Sequence, residues 1–128
     1  MKKMEYGNGK NEILFCGTYK GKDFVIVNLH GNHPCAYVHS NIDFYHSDEE
    51  CSSPAHCGFT FYGKLTHWKK YDEENYNEEF FNRYFVGWDY GHIDDYMPFL
   101  EDGKKWTTEE IFENIKEVID WIKIKERE

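Results

Sequence analysis

The sequence predicts an α+β fold: an antiparallel sheet of about five strands with one C-terminal amphipathic helix packed on one face. Two observations predict it. Short β-prone segments separated by turn residues follow one another through the first two-thirds of the chain. One long stretch near the C-terminus has apolar residues at helical spacing. Because 128 residues is an ordinary length for one domain, residues 1–128 are treated as a single domain.

The first half of the chain predicts an antiparallel meander. Residues 1–11 are polar and glycine-containing, and we expect them to form a loose lead-in. Strands are expected at residues 13–19, 23–30 and 33–40, and the turns between them are short. Pro34 has no N–H to donate, so it belongs at the beginning of its strand or on a sheet edge.

The second half contains less regular patterns and one clear helix. We expect loops at residues 41–56 and 91–103, strands at 57–63 and 84–89, and a short helix at 72–81. The last helix begins after Thr107, because Thr107 and Glu110 form the T-x-x-E pattern of a capping box. Its predicted core stripe consists of Ile111, Ile115, Val118, Ile119 and Ile122.

Charge and composition exclude several classes of function. The formal net charge is −9, so a nonspecific grip on nucleic acid or on an anionic membrane surface is not expected. No apolar run approaches the length of a membrane span. The four cysteines form no C-x-x-C pair and residues 1–10 do not have the pattern of a signal peptide, so we expect reduced thiols in the cytoplasm.

The stretch YFVGWDYGHIDDY, residues 84–96, is the strongest candidate for a site. An apolar strand runs directly into Asp89, His92, Asp94 and Asp95, and so leaves the core for a place where charge is tolerated. Asp89, His92 and Asp95 are the catalytic candidates if the protein is an enzyme, which the sequence leaves open. The Asp89–His92 pair either locks the loop or orients the imidazole for work on a substrate.

Three histidines, His33, His56 and His92, each stand beside a predicted strand. If the strands are neighbours, these rings meet Asp89 and Asp95 at one end of the sheet. Such a set suits a divalent metal such as zinc or manganese, or acid–base hydrolysis. No pair has the spacing of a zinc motif, however, and each histidine has the simpler alternative of capping its strand, so the metal stays unknown.

Thiols and aromatic rings supply further candidates. Cys35 alternates with Ala36 in a strand and is expected to be a buried, inert thiol. Cys57 directly follows His56, and adjacent strand residues point to opposite faces, which argues against a Cys57–His56 dyad. Several rings can stack a purine unless they are core: Tyr37, Phe59, Phe61, Trp88 and Tyr90.

Three motifs, HPCAYV, HCGFTF and YFVGWDYGHIDDY, together with the helix after TTEE, resemble a family of small uncharacterised proteins of tailed phages and prophages of Gram-positive bacteria. The resemblance covers about residues 31–121. The family pattern has His-x-Cys-Gly-Tyr-Val, His-Gly-Gly-(Leu/Ile)-Thr-(Tyr/Phe) and Gly-(Phe/Trp)-Asp-x-Ala-His-x-Gly-Asp. Its shared polar residues correspond to His33, Cys35, His56, Thr60, Asp89, His92 and Asp95. This chain departs from the pattern at Ala36, Cys57, Gly91 and Asp94.

The resemblance implies a phage accessory protein in the cytoplasm of an infected bacterium. The first functional hypothesis is an anti-defence protein that binds and sequesters a small host molecule, such as a signalling nucleotide. The ligand contacts would come from His33, Tyr37, His56, Thr60, Trp88, Asp89, Tyr90 and His92. The alternatives are a hydrolase or phosphodiesterase acting on such a ligand, with or without a metal, and an acidic inhibitor of a host defence protein. Whether the chain forms homo-oligomers is open.

Overall fold

The computed structural model describes residues 1–47, 52–100 and 102–128 and confirms the α+β fold. Within these ranges an antiparallel sheet has the strand order β1-β2-β3-β5-β4. The strands are β1 (Glu12–Tyr19), β2 (Lys22–Leu29), β3 (His33–His39), β4 (Phe61–Lys64) and β5 (Tyr84–Asp89). The helices are α1 (Trp68–Tyr71), α2 (Glu78–Phe81) and α3 (Thr108–Glu126). The loops expected at 41–56 and 91–103 include residues 48–51 and 101, which lie outside the described residues.

The predicted meander is confirmed, and its turns explain the tight connections. Lys20 and Gly21 both have positive φ values, 48° and 80°, as the two central residues of a type I′ hairpin turn do. Pro34 is the second residue of β3, which lies between β2 and β5. Its place at the start of the strand therefore agrees with its missing N–H, although the strand is central in the sheet.

The fourth strand is shorter than predicted. Cys57 and Gly58 have φ values of 58° and 86°, which belong to a turn and not to a strand. The pairing begins only near Thr60, whose N–H donates to the carbonyl of Gly87 at 2.9 Å, and β4 follows. The strand predicted at residues 57–63 is too long because the β-prone residues that follow Gly58 extended the pattern back over Cys57 and Gly58, which form a turn.

Helix α3 covers one face of the sheet as predicted. Thr107 and Glu110 form the capping box, and the five stripe residues Ile111 to Ile122 are fully buried. They pack in one cluster with strand residues that include Ile26, Val38 and Trp88. No helix in the described ranges, α3 included, is long and apolar enough to cross a membrane.

The opposite face of the sheet is covered by the segment between β4 and β5. Leu65, Trp68 and Phe81 are fully buried there, against strand residues that include Val25 and Phe85. The predicted helix at residues 72–81 is wrong, since the segment forms only the single turns α1 and α2. Helix α2 begins where the side chain of Asn77 accepts a bond from the N–H of Phe80.

The N-terminal segment, expected to be loosely attached, is docked on the sheet and on α3. The N–H of Lys2 donates to the carbonyl of Leu14 at 3.0 Å, and the N–H of Gly7 donates to that of Gly31 at 2.8 Å. The hydroxyl of Tyr6 donates to the carbonyl of Trp106 at 3.0 Å, and Met4 is buried. These bonds make residues 1–11 an integral layer of the fold.

Candidate functional site

The end of β5 and the beginning of β3 lie side by side, which brings distant polar residues together. Cys35 is opposite Asp89 in the antiparallel register, and the N–H of Tyr90 donates to the carbonyl of Pro34 at 3.0 Å. Gly91 then passes so close to His33 that an added Cβ would lie 2.7 Å from the ring. A glycine at this position lets the loop after β5 pass over the start of β3.

The first Asp–His pair is His56 with Asp95. The Nε2 atom of His56 lies 3.0 and 2.9 Å from the two carboxylate oxygens of Asp95. The same carboxylate accepts bonds from the backbone N–H of His92 at 2.9 Å and from Nε1–H of Trp106 at 2.8 Å. Burial acts to raise the pKa of Asp95, but these donors outweigh it and lower the pKa below its usual 3.8. Asp95 is therefore a satisfied, ionised group that is 2% exposed.

Aromatic rings hold His56 in place and connect it to α3. Its ring stacks on Tyr90 with centroids 4.9 Å apart and planes 7° apart. The hydroxyl of Tyr90 accepts a bond from Nε1–H of Trp88 at 2.9 Å and donates to Oδ1 of Asn114 at 2.7 Å. Asn114 also accepts from the N–H of His56 at 3.2 Å and donates to the carbonyl of Pro54 at 2.9 Å. This network fixes the His56 turn onto the helix.

The burial of these rings corrects the expected ligand contacts. Trp88 and Tyr90 are core residues on the helix side of the sheet, and Tyr37 is buried on the other side, where it packs edge-on against Phe61 at 5.3 Å. None of the three presents a free ring face to a ligand. The three rings therefore belong to the two cores of the fold and not to the surface of the site.

The second pair is Asp89 with His92. Nε2 of His92 lies 3.3 Å from Oδ1 of Asp89, but the atoms are not aligned for a hydrogen bond, and this buried nitrogen has no other partner among the described residues. Asp89 accepts bonds from the N–H of Gly91 at 3.0 Å and from the hydroxyl of Thr60 at 3.4 Å. The two side chains are 27% and 31% exposed. Both side chains are thus partly exposed, whereas the Nε2 atom between them is buried and incompletely bonded.

The structure brings the two pairs together. The rings of His56 and His92 are 5.8 Å apart, and neither makes a hydrogen bond through Nδ1 to a residue of the described ranges. His33 lies at the same end of the sheet but is bonded within its own strand. Its Nδ1 is 3.2 Å from the carbonyl of Pro34 and 3.7 Å from Sγ of Cys35. The site surface therefore consists of His56, Thr60, Asp89 and His92, and we call it the His–Asp surface.

The two thiols nearest the His–Asp surface within the described ranges, Cys35 and Cys57, have raised pKa values. Burial raises the pKa of the Cys35 thiol far above its ordinary value, and partial burial together with the nearby Asp95 and Asp89 raises that of Cys57. Cys57 lies in a turn, so the expected separation from His56 by strand alternation does not apply. Among the described residues, no group of three or more His, Cys, Asp or Glu side chains could hold a metal ion.

Two residues of the site were missed by the sequence reasoning, Trp106 and Asn114. Trp106 precedes the capping residue Thr107, where an apolar side chain commonly packs against the first turn of a helix, so its position at the helix start carried a usable signal. Asn114 carried none, because a polar residue beside the apolar stripe of a helix is usually solvated. Comparison with known proteins adds no assignment: no family model, no curated protein and no solved structure matches this chain.

Proposed function

We propose that the protein is a phage accessory protein that binds a small nucleotide-like molecule of the host at the His–Asp surface and sequesters it in the cytoplasm. The observation that supports this proposal most is the pair of partly exposed imidazoles, His56 and His92, 5.8 Å apart. Each ring has one nitrogen beside a carboxylate and a second nitrogen, Nδ1, left for a ligand.

The charges of the His–Asp surface suit a ligand that carries both phosphate and hydroxyl groups. The Nδ1 atoms of His56 and His92 can hydrogen-bond to a phosphate oxygen or to a hydroxyl group, as donor or acceptor according to the tautomer. Asp95 opposes an incoming anion little, because three donors already contact its carboxylate. Asp89 is partly exposed and keeps acceptor capacity for a sugar hydroxyl.

Hydrolysis is the second candidate, and the Asp89–His92 pair is the observation that favours it. An imidazole beside a carboxylate can act as a general base toward water. Sequestration is preferred because the nearby groups that could serve as a nucleophile or a second base, Cys35, Cys57 and Asp95, are not suited to those roles. The thiols of Cys35 and Cys57 have raised pKa values, and Asp95 has its oxygens occupied by donors.

A nucleotide panel tests the proposal. The protein is incubated with cyclic and linear nucleotides, binding is followed by calorimetry, and the ligand is released by heat and identified by mass spectrometry. Intact ligand is expected, whereas converted ligand would support the hydrolase. Binding by none of them would overturn both and favour the acidic inhibitor of a host protein.

Two variants make the assignment specific. His92→Gln should weaken binding about tenfold or more, equivalent to roughly 1.4 kcal/mol. His46→Gln is the matched control, because His46 forms an exposed pair with Asp43 at 2.7 Å outside the site. An equal loss of affinity in both variants would show that the ligand does not bind at the His–Asp surface.

A further inference from the structure

A second concavity lies between the docked N-terminal segment and the beginning of α3. It has a volume of about 420 Å³, and its lining combines Met4, Tyr6 and Trp106 with two ammonium groups, Lys3 and Lys105, and one carboxylate, Glu109. That volume lies within the range of cavities that hold small ligands. It has a largely apolar wall, which distinguishes it from the His–Asp surface, and none of the contacts proposed above uses it.

The walls of this cavity are fixed by bonds across the fold. The hydroxyl of Tyr6 donates to the carbonyl of Trp106 at 3.0 Å, and the hydroxyl of Thr108 donates to the carbonyl of Lys2 at 2.9 Å. Burial raises the pKa of Tyr6 to about 12, so this phenol stays protonated and keeps donating. The cavity is therefore preformed and does not require a ligand to assemble it.

Two cations at its edge indicate what the cavity binds. Lys3 and Lys105 are exposed, and neither forms an ion pair with a residue in the described ranges. Nζ of Lys105 lies 4.5 Å from the centre of the Tyr96 ring, a cation–π contact, and Lys105 itself lines the cavity. Against the carboxylate of Glu109, these two ammonium groups leave the edge of the apolar wall net positive in a chain of net charge −9, which complements a flat ring that carries negative charge.

We propose that this cavity is a second ligand site, which takes the ring of a nucleoside monophosphate while Lys3 and Lys105 face its phosphate. Trp106 joins it to the first site, since the same indole lines the cavity, donates to Asp95 at 2.8 Å and lies 4.8 Å from the ring of His56. An occupant that shifts Trp106 therefore changes the surroundings of Asp95. The inference goes beyond the proposed function and does not depend on where the first ligand binds.

Heteronuclear NMR with adenosine monophosphate tests the cavity. Titration should shift the indole N–H resonance of Trp106 with saturation, while adenosine alone and inorganic phosphate alone should shift it more weakly. The double variant Lys3→Glu/Lys105→Glu should weaken the effect at least tenfold. Lys69→Glu/Lys70→Glu is the matched control, because those lysines are exposed on α1, outside the cavity, and should leave the titration unchanged.

The outcomes separate this site from the proposed function. A Trp106 resonance that stays fixed at millimolar ligand, or equal affinity in the charge-reversed variant, would overturn the cavity site. Shifts confined to His92 would do the same while supporting the His–Asp surface. Shifts at Trp106 without any at His92 would support the cavity and count against the first placement. All the substituted lysines are exposed, so preserved dispersion of the amide spectrum is expected and verifies the fold.

Discussion

The two Asp–His pairs at the end of the sheet have the same chemistry and opposite surroundings. Asp95 is buried and contacts His56, Trp106 and the N–H of His92, so its charge is compensated inside the fold. Asp89 and His92 are partly exposed and their closest atoms are not aligned for a hydrogen bond. The difference teaches that burial and donor count, and not the presence of an Asp–His pair, separate a pair that supports the structure from one that is free to meet a ligand.

Replacing Asp95 should give the largest change, because it breaks the compensated pair. Asp95→Asn removes the negative charge beside His56. It also places an amide NH2 group, which is a donor, where the buried network requires a second acceptor oxygen. We expect a loss of roughly 3–5 kcal/mol in the free energy of unfolding, as for buried pairs that lose one partner. Urea denaturation followed by tryptophan fluorescence measures it. A loss below about 1 kcal/mol would mean that the buried pair contributes no more than an exposed one, and the comparison would fail.

The second prediction concerns the helix residue that anchors the His56 turn. Asn114→Ala leaves the hydroxyl of Tyr90 without its acceptor and the N–H of His56 unpaired. The expected cost is about 1–3 kcal/mol, the usual penalty for buried polar groups that lose their partners. Glu117→Ala is the control, since Glu117 is exposed on the same helix and should change stability by less than about 0.5 kcal/mol. Equal effects in the two variants would show that the network through Asn114 does not stabilise the turn.

The sequence predicted most of the secondary structure that carries the site. Period-two and helical patterns predicted the strands of the meander, β5 and α3, and the T-x-x-E pattern predicted where α3 begins. The meeting of His56 with His92, Asp89 and Asp95 needed one further fact, that β4 pairs with β5 at the edge of the order β1-β2-β3-β5-β4. Local patterns carry no such information, because strand order depends on contacts between distant segments.

The missed features have physical reasons as well. Alternation shows that Tyr37 and Trp88 point to given faces of a strand, but both faces of this sheet are covered, so neither ring is available. The second cover comes from residues 65–81, whose aromatic side chains have no helical period because the segment forms only single turns. Docking of residues 1–11 depends on backbone bonds to Leu14 and Gly31 and on a close approach at Gly31, where an added Cβ would lie 2.6 Å from the N atom of Gly9. A glycine in the sequence marks a turn as readily as such a contact, so the docking was not predicted.

The third prediction concerns the pH dependence of stability that Asp95 contributes. The pKa of Asp95 is lower in the folded protein than its ordinary value of 3.8, so its contribution is complete above that value and is lost as the pH falls through the folded pKa. Stability of the wild type should therefore decrease below about pH 4, and Asp95→Asn should show a shallower decrease. Denaturant midpoints measured at several pH values give both slopes. Parallel slopes would show that Asp95 does not titrate differently on folding.

Replacing Asp89 should give the smallest change in stability and the clearest change in binding. Asp89→Asn keeps an oxygen for the N–H of Gly91 and removes only a partly exposed charge, so the loss should be within about 1 kcal/mol. Affinity for the nucleotide identified by the panel should nevertheless fall about tenfold, because the variant loses the carboxylate that is proposed to accept a bond from a sugar hydroxyl. Calorimetry and urea denaturation on the same samples separate the two quantities. If stability fell by as much as in Asp95→Asn while affinity was unchanged, Asp89 would belong with the compensated pair, and the open pair would have no role in binding.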